Sequence, residues 1–354
     1  MMNCSKMTIS KHTALWMASF STVLLLLLCL FWNDPVLKSQ QYIVPPPRPY
    51  YLPKKSENVN INLKSSGSYK LTEEKEDITE ILDGVKSMEH KKSLLVTLIN
   101  NAYLPFTYSW LCNTKDMNIH KQVLLITTDG ESKDQLNTLW PDVKVVAISG
   151  MSSNGDQTYS HAGYVRLMIR RTQILLKMLQ NNIEIFLFEV DCLWIKNPVP
   201  ILANNTGFDI LVNPVSNRPG IVAGGFIYMF PTRATKYLWN ELNNKLTKLE
   251  QRIRNLPPGR GISEGENDQI YLSDLVKRRV DGLKCKTLPL TDFADGKWYT
   301  LPNKTKTASD PYVVNNNWVN GNQNKISRAK AWGHWFIRKD NSCDTEQVKT
   351  IVKL

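Results

Sequence analysis

Residues 183–190 (IEIFLFEV), running on into Asp191-Cys192-Leu193-Trp194, form the most hydrophobic strand-like stretch beyond residue 90, and it closes on two acids. A short apolar run rich in β-branched and aromatic residues has strand length. Side chains alternate along a strand, which puts Glu189 and Asp191 on the same side. Paired carboxylates at a strand end suit a hard divalent cation, which takes oxygen ligands and bridges to a diphosphate. The plainer reading of the bare E-x-D pattern is a solvated pair of acids.

Outward from this run the pattern repeats. Leu94–Ile99 (LLVTLI), Val123–Thr127 (VLLIT), 143–148 (VKVVAI), 210–212 and 225–230 are strand-like, and 131–140, 163–181 and 233–255 are helical. In 163–181, Val165, Met168, Ile169, Thr172, Leu175, Leu176 and Leu179 share one stripe, with arginines on the opposite face. Strands alternating with helices imply an α/β fold with a largely parallel sheet covered on both faces. Ligands of such sheets bind beyond the carboxyl ends of the strands.

The chain has 354 residues, 42% hydrophobic and 21% charged, a globular composition that excludes wholesale disorder. Its net charge is +12, and residues 1–90 carry 10 Lys/Arg against 9 Asp/Glu, so the excess lies beyond them. It is dispersed there, with Lys277-Arg278-Arg279 the densest run and no nucleic-acid motif beside it, which argues against a nucleic-acid partner.

Residues 13–32 (TALWMASFSTVLLLLLCLFW) are twenty in a row without a charge, the length of one membrane-spanning helix. A cleaved signal peptide is the competing reading, but the run is too long for its apolar region and no small-x-small site follows. Lys6 and Lys11 precede it and Asp34 follows, so the N-terminus is expected on the cytoplasmic side. The expected organisation is a tail over 1–12, a signal anchor over 13–32, a lumenal stem over 33–90 and a catalytic domain over 91–354. The Pro-rich stretch at 44–49 favours extended polyproline II in the stem, and Ile78, Ile81, Leu82 and Val85 mark a short amphipathic helix around 78–88. Cys112, Cys192, Cys285 and Cys343 then lie in an oxidising compartment, with three pairings open to them. Asn204 and Asn303 are glycosylation sequons on that side.

Five segments carry a resemblance: Tyr164 through Thr172 (YVRLMIRRT), Glu189 through Pro198 (EVDCLWIKNP), Gly224-Gly225-Phe226-Ile227-Tyr228, Asn267-Asp268-Gln269, and Asn315-Asn316-Asn317-Trp318-Val319-Asn320-Gly321 with Lys325. In this order, over roughly 91–340, they resemble the nucleotide-diphospho-sugar transferase family, which includes the plant rhamnogalacturonan-II xylosyltransferases. The resemblance implies a GT-A fold, Rossmann-related with a mixed, mostly parallel sheet flanked by helices, a nucleotide-sugar donor, most simply UDP-linked, and a glycan or glycoprotein acceptor. It also implies Mn2+ or Mg2+ held by a D-x-D motif and, for the xylosyltransferase branch, retention of anomeric configuration. Golgi residence follows from the same analogy joined to the anchor and stem.

Carried over by position, Asp191 matches the second acid of D-x-D and Glu189 the first, where the family has aspartate. Asn315 stands where the family has histidine, and an amide oxygen is a neutral ligand. The implied metal set is therefore Glu189, Asp191 and Asn315; His334, flanked by Trp332 and Trp335, is a packing residue first and a substitute ligand second. Thr97, Asn100 and Tyr103, on the first strand and its loop, occupy the place of the base and ribose, Tyr103 as a stacking ring. Arg171 and Lys325 match phosphate-binding positions, with Arg170 an equal rival to Arg171. Gly225 marks close approach of backbone to sugar, or a strand bulge. Asp268, beside Gln269, is the residue expected at the anomeric centre or the acceptor, while Asn267 or Asp268 also reads as a helix N-cap. Because two metal positions depart from the family, a catalytically weak or inactive carbohydrate- or nucleotide-binding protein is the second reading. A membrane-anchored glycosidase is the third.

Overall fold

Seven strands form the main sheet in the order β3 (Lys144–Ala147), β2 (Val123–Thr127), β1 (Leu94–Ile99), β4 (Ile185–Leu187), β7 (Val222–Met229), β6 (Ile210–Pro214) and β8 (Cys285–Thr287) in a computed structural model that describes residues 66–88, 93–150 and 155–353. The expected anchor at 13–32, with its tail and most of the stem, lies outside the described residues; among the described residues no helix is long and apolar enough to cross a membrane. β1 pairs in parallel with β2 and β4, β2 with β3, and β6 with β8, while β7 runs antiparallel to both neighbours. The sheet is mostly parallel, as the alternation of elements implied, and β7 makes it mixed, as the resemblance implied. From β1 the chain builds outward through β2 and β3, then returns to lay β4 on the other side of β1. That reversal opens a crevice at the carboxyl ends of β1 and β4.

The helices are α1 (Ser66–Lys86), α2 (Leu104–Thr114), α3 (Gly130–Leu139), α4 (Ala162–Gln180), α5 (Val199–Ala203), α6 (Arg233–Ile253), α7 (Asp268–Lys277), α8 (Asn303–Ala308), α9 (Asn322–Ala331) and α10 (Thr345–Ile351). On one face of the sheet Leu94 and Val96 of β1 pack with Val165, Ile169 and Leu176 of α4 and Leu238 and Leu242 of α6. On the other, Leu95 and Ile99 join an aromatic core of Trp110, Phe186, Phe188, Trp194 and Phe226. Asp129 caps α3 by accepting from Ser132 N at 2.7 Å, and Thr232 caps α6 through Thr235 N.

Two expectations change here. The helix foreseen around 78–88 spans Ser66–Lys86, and its Ile81 and Val85 are buried in the main core. The arginine face of α4 is not solvated: Arg170 and Arg171 are 7% and 8% exposed, because each finds a buried carboxylate. Arg170 donates to Asp77 Oδ2 at 2.8 Å, and the same carboxylate accepts from Ser149 N, which ties α1 to α4 and to the end of β3.

A second sheet, β5 (Leu193–Trp194), β10 (Val313–Val314) and β9 (Phe293–Ala294), lies beyond β4. β10 is antiparallel to β5 and parallel to β9, with Val314 opposite Leu193. This register brings the residues after β10 alongside those before β5. Cys112 of α2 and Cys343 form a disulfide that fastens the C-terminal segment, leaving Cys192 and Cys285 as thiols.

Candidate active site

β4 ends at Leu187, so Glu189 and Asp191 do not sit on a strand and alternation is not what joins them. The chain turns after Phe188, with Cys192 N donating to Glu189 O at 3.2 Å. This turn gathers a Glu189 oxygen, an Asp191 oxygen and Cys192 Sγ within 4.8 Å of one another. Burial, and then repulsion from Asp191, push the Glu189 carboxyl above the usual carboxylate range. Burial likewise holds the Cys192 thiol well above its ordinary value, so it is protonated. β7 passes directly beneath: a Cβ on Gly225 would lie 2.1 Å from Glu189 Oε1. Gly225 therefore makes room for the acid; its closest approach is to Glu189.

The pairing of β10 with β5 delivers Asn315, whose Nδ2 donates to Glu189 Oε2 at 3.3 Å. Lys325, on the first turn of α9, places Nζ 2.6 Å from Asp191 Oδ2 and 5.8 Å from the centre of the Tyr103 ring. Burial alone would lower the Lys325 ammonium, but Asp191 and its neighbours outweigh it and hold the pKa above normal, so the group stays charged. Tyr103 is pushed up to about 12, mainly by burial, and is a neutral phenol. Thr97, Asn100, Tyr103, Arg171, Glu189, Asp191 and Lys325 line one pocket at the crevice between β1 and β4, together with Gln157 and Tyr164. Asn100 donates through Nδ2 to Gly155 O at 2.7 Å, pinning the loop before α4 over the pocket.

Arg170 and Arg171 separate cleanly. Arg170 faces α1, whereas Arg171 Nη2 donates to Asp268 Oδ2 at 2.8 Å and to Gly224 O at 2.9 Å. Arg171 is thus the residue that orients Asp268. Asn267 is the N-cap of α7, accepting from Ile270 N at 3.0 Å, which leaves Asp268 free of capping duty and turned inward at 5% exposure. Gln269 Oε1 lies 3.4 Å from Gly224 N, a long contact that places it beside Asp268.

The implied cation meets a suitable donor set. Asp191 Oδ1 and Asn315 Oδ1 are buried without a hydrogen-bond partner, two hard oxygen acceptors beside the crowded Glu189 carboxyl. A divalent cation there would satisfy both and relieve the repulsion between the acids. His334 does not join them: its Nδ1 lies 3.0 Å from the Tyr299 hydroxyl among Trp298 and Trp332, and burial lowers it to about 4. Cys192, Gln157 and Tyr164 were not foreseen at the site. Cys192 was visible as the neighbour of Asp191, whereas Gln157 arrives through a loop that carries no motif.

A crevice lined by paired acids and a buried ammonium has the chemistry to hold an anionic nucleotide diphosphate and its cation, which is what a nucleotide-sugar-dependent glycosyltransferase requires. Residues 118–329 match the nucleotide-diphospho-sugar transferase family, and the chain belongs to it. It is 22% identical over 271 residues to the UDP-D-xylose:L-fucose alpha-1,3-D-xylosyltransferase MGP4 of Arabidopsis thaliana, covering 72% of each chain. A second Arabidopsis thaliana enzyme, UDP-D-xylose:L-fucose alpha-1,3-D-xylosyltransferase 3, is 22% identical over 277 residues, 73% of this chain and 70% of its own. Among solved structures, the galactosyltransferase LgtC in complex with donor and acceptor sugar analogues superposes with a TM-score of 0.42 at 9% identity, over 74% of this chain and 97% of its own.

Proposed function

We propose that this glycosyltransferase transfers xylose from UDP-xylose to a sugar hydroxyl, fucose being the first acceptor to try, with retention of anomeric configuration. The observation that carries the reading is the meeting of Glu189, Asp191, Asn315 and Lys325 at the crevice between β1 and β4, where an anionic diphosphate finds both an ammonium and oxygen ligands for a cation. The named donors and acceptor of the Arabidopsis thaliana relatives supply the sugar.

A divalent cation held by Glu189, Asp191 and Asn315 would neutralise charge on the departing diphosphate, which is Lewis-acid chemistry. The chain's own residues do the rest. Lys325 sets a permanent positive charge beside Asp191, within reach of phosphate oxygens. Thr97, Asn100 and Tyr103 bound the uridine end of the pocket. The bond from the anomeric carbon to the diphosphate breaks, a bond to the acceptor oxygen forms, and the acceptor proton is released. Asp268, held through Oδ2 by Arg171 with Oδ1 buried and unpartnered, offers negative charge to the oxocarbenium-like centre or accepts from a sugar hydroxyl.

In the cell we propose a single-pass type II protein of the Golgi membrane, anchored by 13–32 with the catalytic region in the lumen; the uncharged run and the Cys112–Cys343 disulfide support this. The test is a panel of UDP-xylose, UDP-glucose, UDP-galactose and UDP-arabinose with Mn2+ and methyl α-L-fucoside. UDP release should be fastest with UDP-xylose, and NMR of the product should show an α-linkage. No preference among donors, or a β-linked product, would contradict the reading.

A further inference from the structure

We propose that Trp318 and Tyr159 flank the acceptor subsite, and that Arg218 and Lys297 select an acceptor glycan bearing an anionic group, a carboxylate or a sulfate, beside the reacting sugar. The proposal rests on the donor-site reading above and adds the class of acceptor.

Trp318 follows the Asn315–Asn317 segment and is 38% exposed. Its backbone has φ 62°, a left-handed conformation that strains a bulky residue and persists only where its surroundings enforce it. They do so here through Asp295, a buried residue at the end of β9. Asp295 Oδ2 accepts from Trp318 Nε1 at 2.7 Å and from Ser216 N at 2.9 Å, and Oδ1 accepts from Lys297 N at 3.0 Å. One carboxylate thus locks the indole edge, the loop between β6 and β7, and the start of the Lys297 turn. An exposed aromatic ring held rigidly at the carboxyl edge of a sheet offers an apolar face for the C–H side of a sugar at little entropic cost.

Cations surround this ring. Lys297 Nζ lies 4.4 Å from its centre and the Arg218 guanidinium carbon 5.8 Å. Arg218 is exposed and also close enough to Tyr159 for its charge to act on that phenol. Tyr159 is itself 38% exposed, and its hydroxyl accepts from Asn267, the residue before Asp268, at 3.0 Å. The guanidinium thus lies over the Trp318 ring and its charge reaches Tyr159, whose hydroxyl is joined to the α7 cap beside the residue assigned to the reacting centre. Among the described residues neither Arg218 nor Lys297 takes part in an ion pair. Unpaired cations beside a rigid apolar platform recognise an anionic sugar, the guanidinium by two parallel hydrogen bonds.

Ligand-observed NMR on the full chain would measure binding of three probes: neutral cellotetraose, tetragalacturonate and a sulfated chondroitin tetrasaccharide. The expected result is at least tenfold tighter binding of an anionic probe than of cellotetraose at low salt, the tighter of the two identifying carboxylate or sulfate. That preference should fall severalfold in Arg218→Ala/Lys297→Ala and persist in Lys277→Ala/Arg278→Ala, which removes equal charge from the end of α7. Trp318→Ala should weaken all three probes. Equal binding of neutral and anionic probes, or a preference that survives Arg218→Ala/Lys297→Ala, would overturn the proposal. Because binding is read without donor, failure to turn over UDP-xylose while the anionic preference stands would strike the donor reading alone.

Discussion

Glu189 lies over Gly225 so closely that any side chain there would displace it, the nearest carboxylate oxygen being 2.1 Å from the position of a Cβ. The bare backbone of β7 is what admits a glutamate, one methylene longer than the family's aspartate, into the space beside Asp191. Gly225→Ala should therefore push the carboxylate out of the cluster. We expect UDP release to fall about 100-fold, while the melting curve shifts by no more than about 1–3 kcal/mol of overpacking.

Lys325 and Asp191 form a buried pair, with side chains 17% and 3% exposed. Lys325→Met would leave the Asp191 carboxylate without its cation in a dry site, at a cost of about 3 kcal/mol in urea unfolding. Added Mn2+ should restore part of that loss by supplying the missing charge, whereas Mg2+-free, Mn2+-free protein should show the full effect.

Docking of α1 sets where a stable fragment begins. A chain starting at residue 91 would lack Ile81, Val85 and the Asp77 carboxylate that joins Arg170 to Ser149 N. Asp77→Ala alone should cost about 3 kcal/mol, since it breaks a buried pair at one end. In urea, a fragment of residues 91–354 should unfold well before one of residues 63–354.

Much of this was readable in the sequence because it depends on local pattern. The bounds of β1 and β2 follow from apolar runs between polar turns, and the acids after β4 from their position. What joins Glu189 to Asp191 was not readable as it stands, because a turn does what strand alternation was expected to do. The destination of Arg170 depends on a contact with Asp77, 93 residues away, and the choice of Cys112 with Cys343 on one spanning 231. Trp318 lay in plain view within a motif, but its fixed orientation comes from Asp295, just after β9 and 23 residues away.

His120 and His334 are both partly buried and held near 4 by loss of solvent, below the ordinary histidine value of 6.5. Each is neutral in the folded protein and protonates more readily when unfolded. The stability they contribute is therefore fully present above about pH 6.5 and is lost as pH falls toward 4, by roughly 3 kcal/mol each. Thermal melts from pH 7 to 4 should show this decline, and His120→Gln, which keeps a polar partner for Thr114, should make it shallower.

Calorimetric binding of UDP to the full chain with and without Mn2+, in wild type and Asp191→Asn, tests the donor site most directly. Wild type should bind UDP at least tenfold more tightly with Mn2+, and Asp191→Asn should lose that increment. Equal affinity with and without Mn2+ in wild type, or an increment that survives in Asp191→Asn, would contradict the assignment of Asp191, Glu189 and Asn315 to the cation.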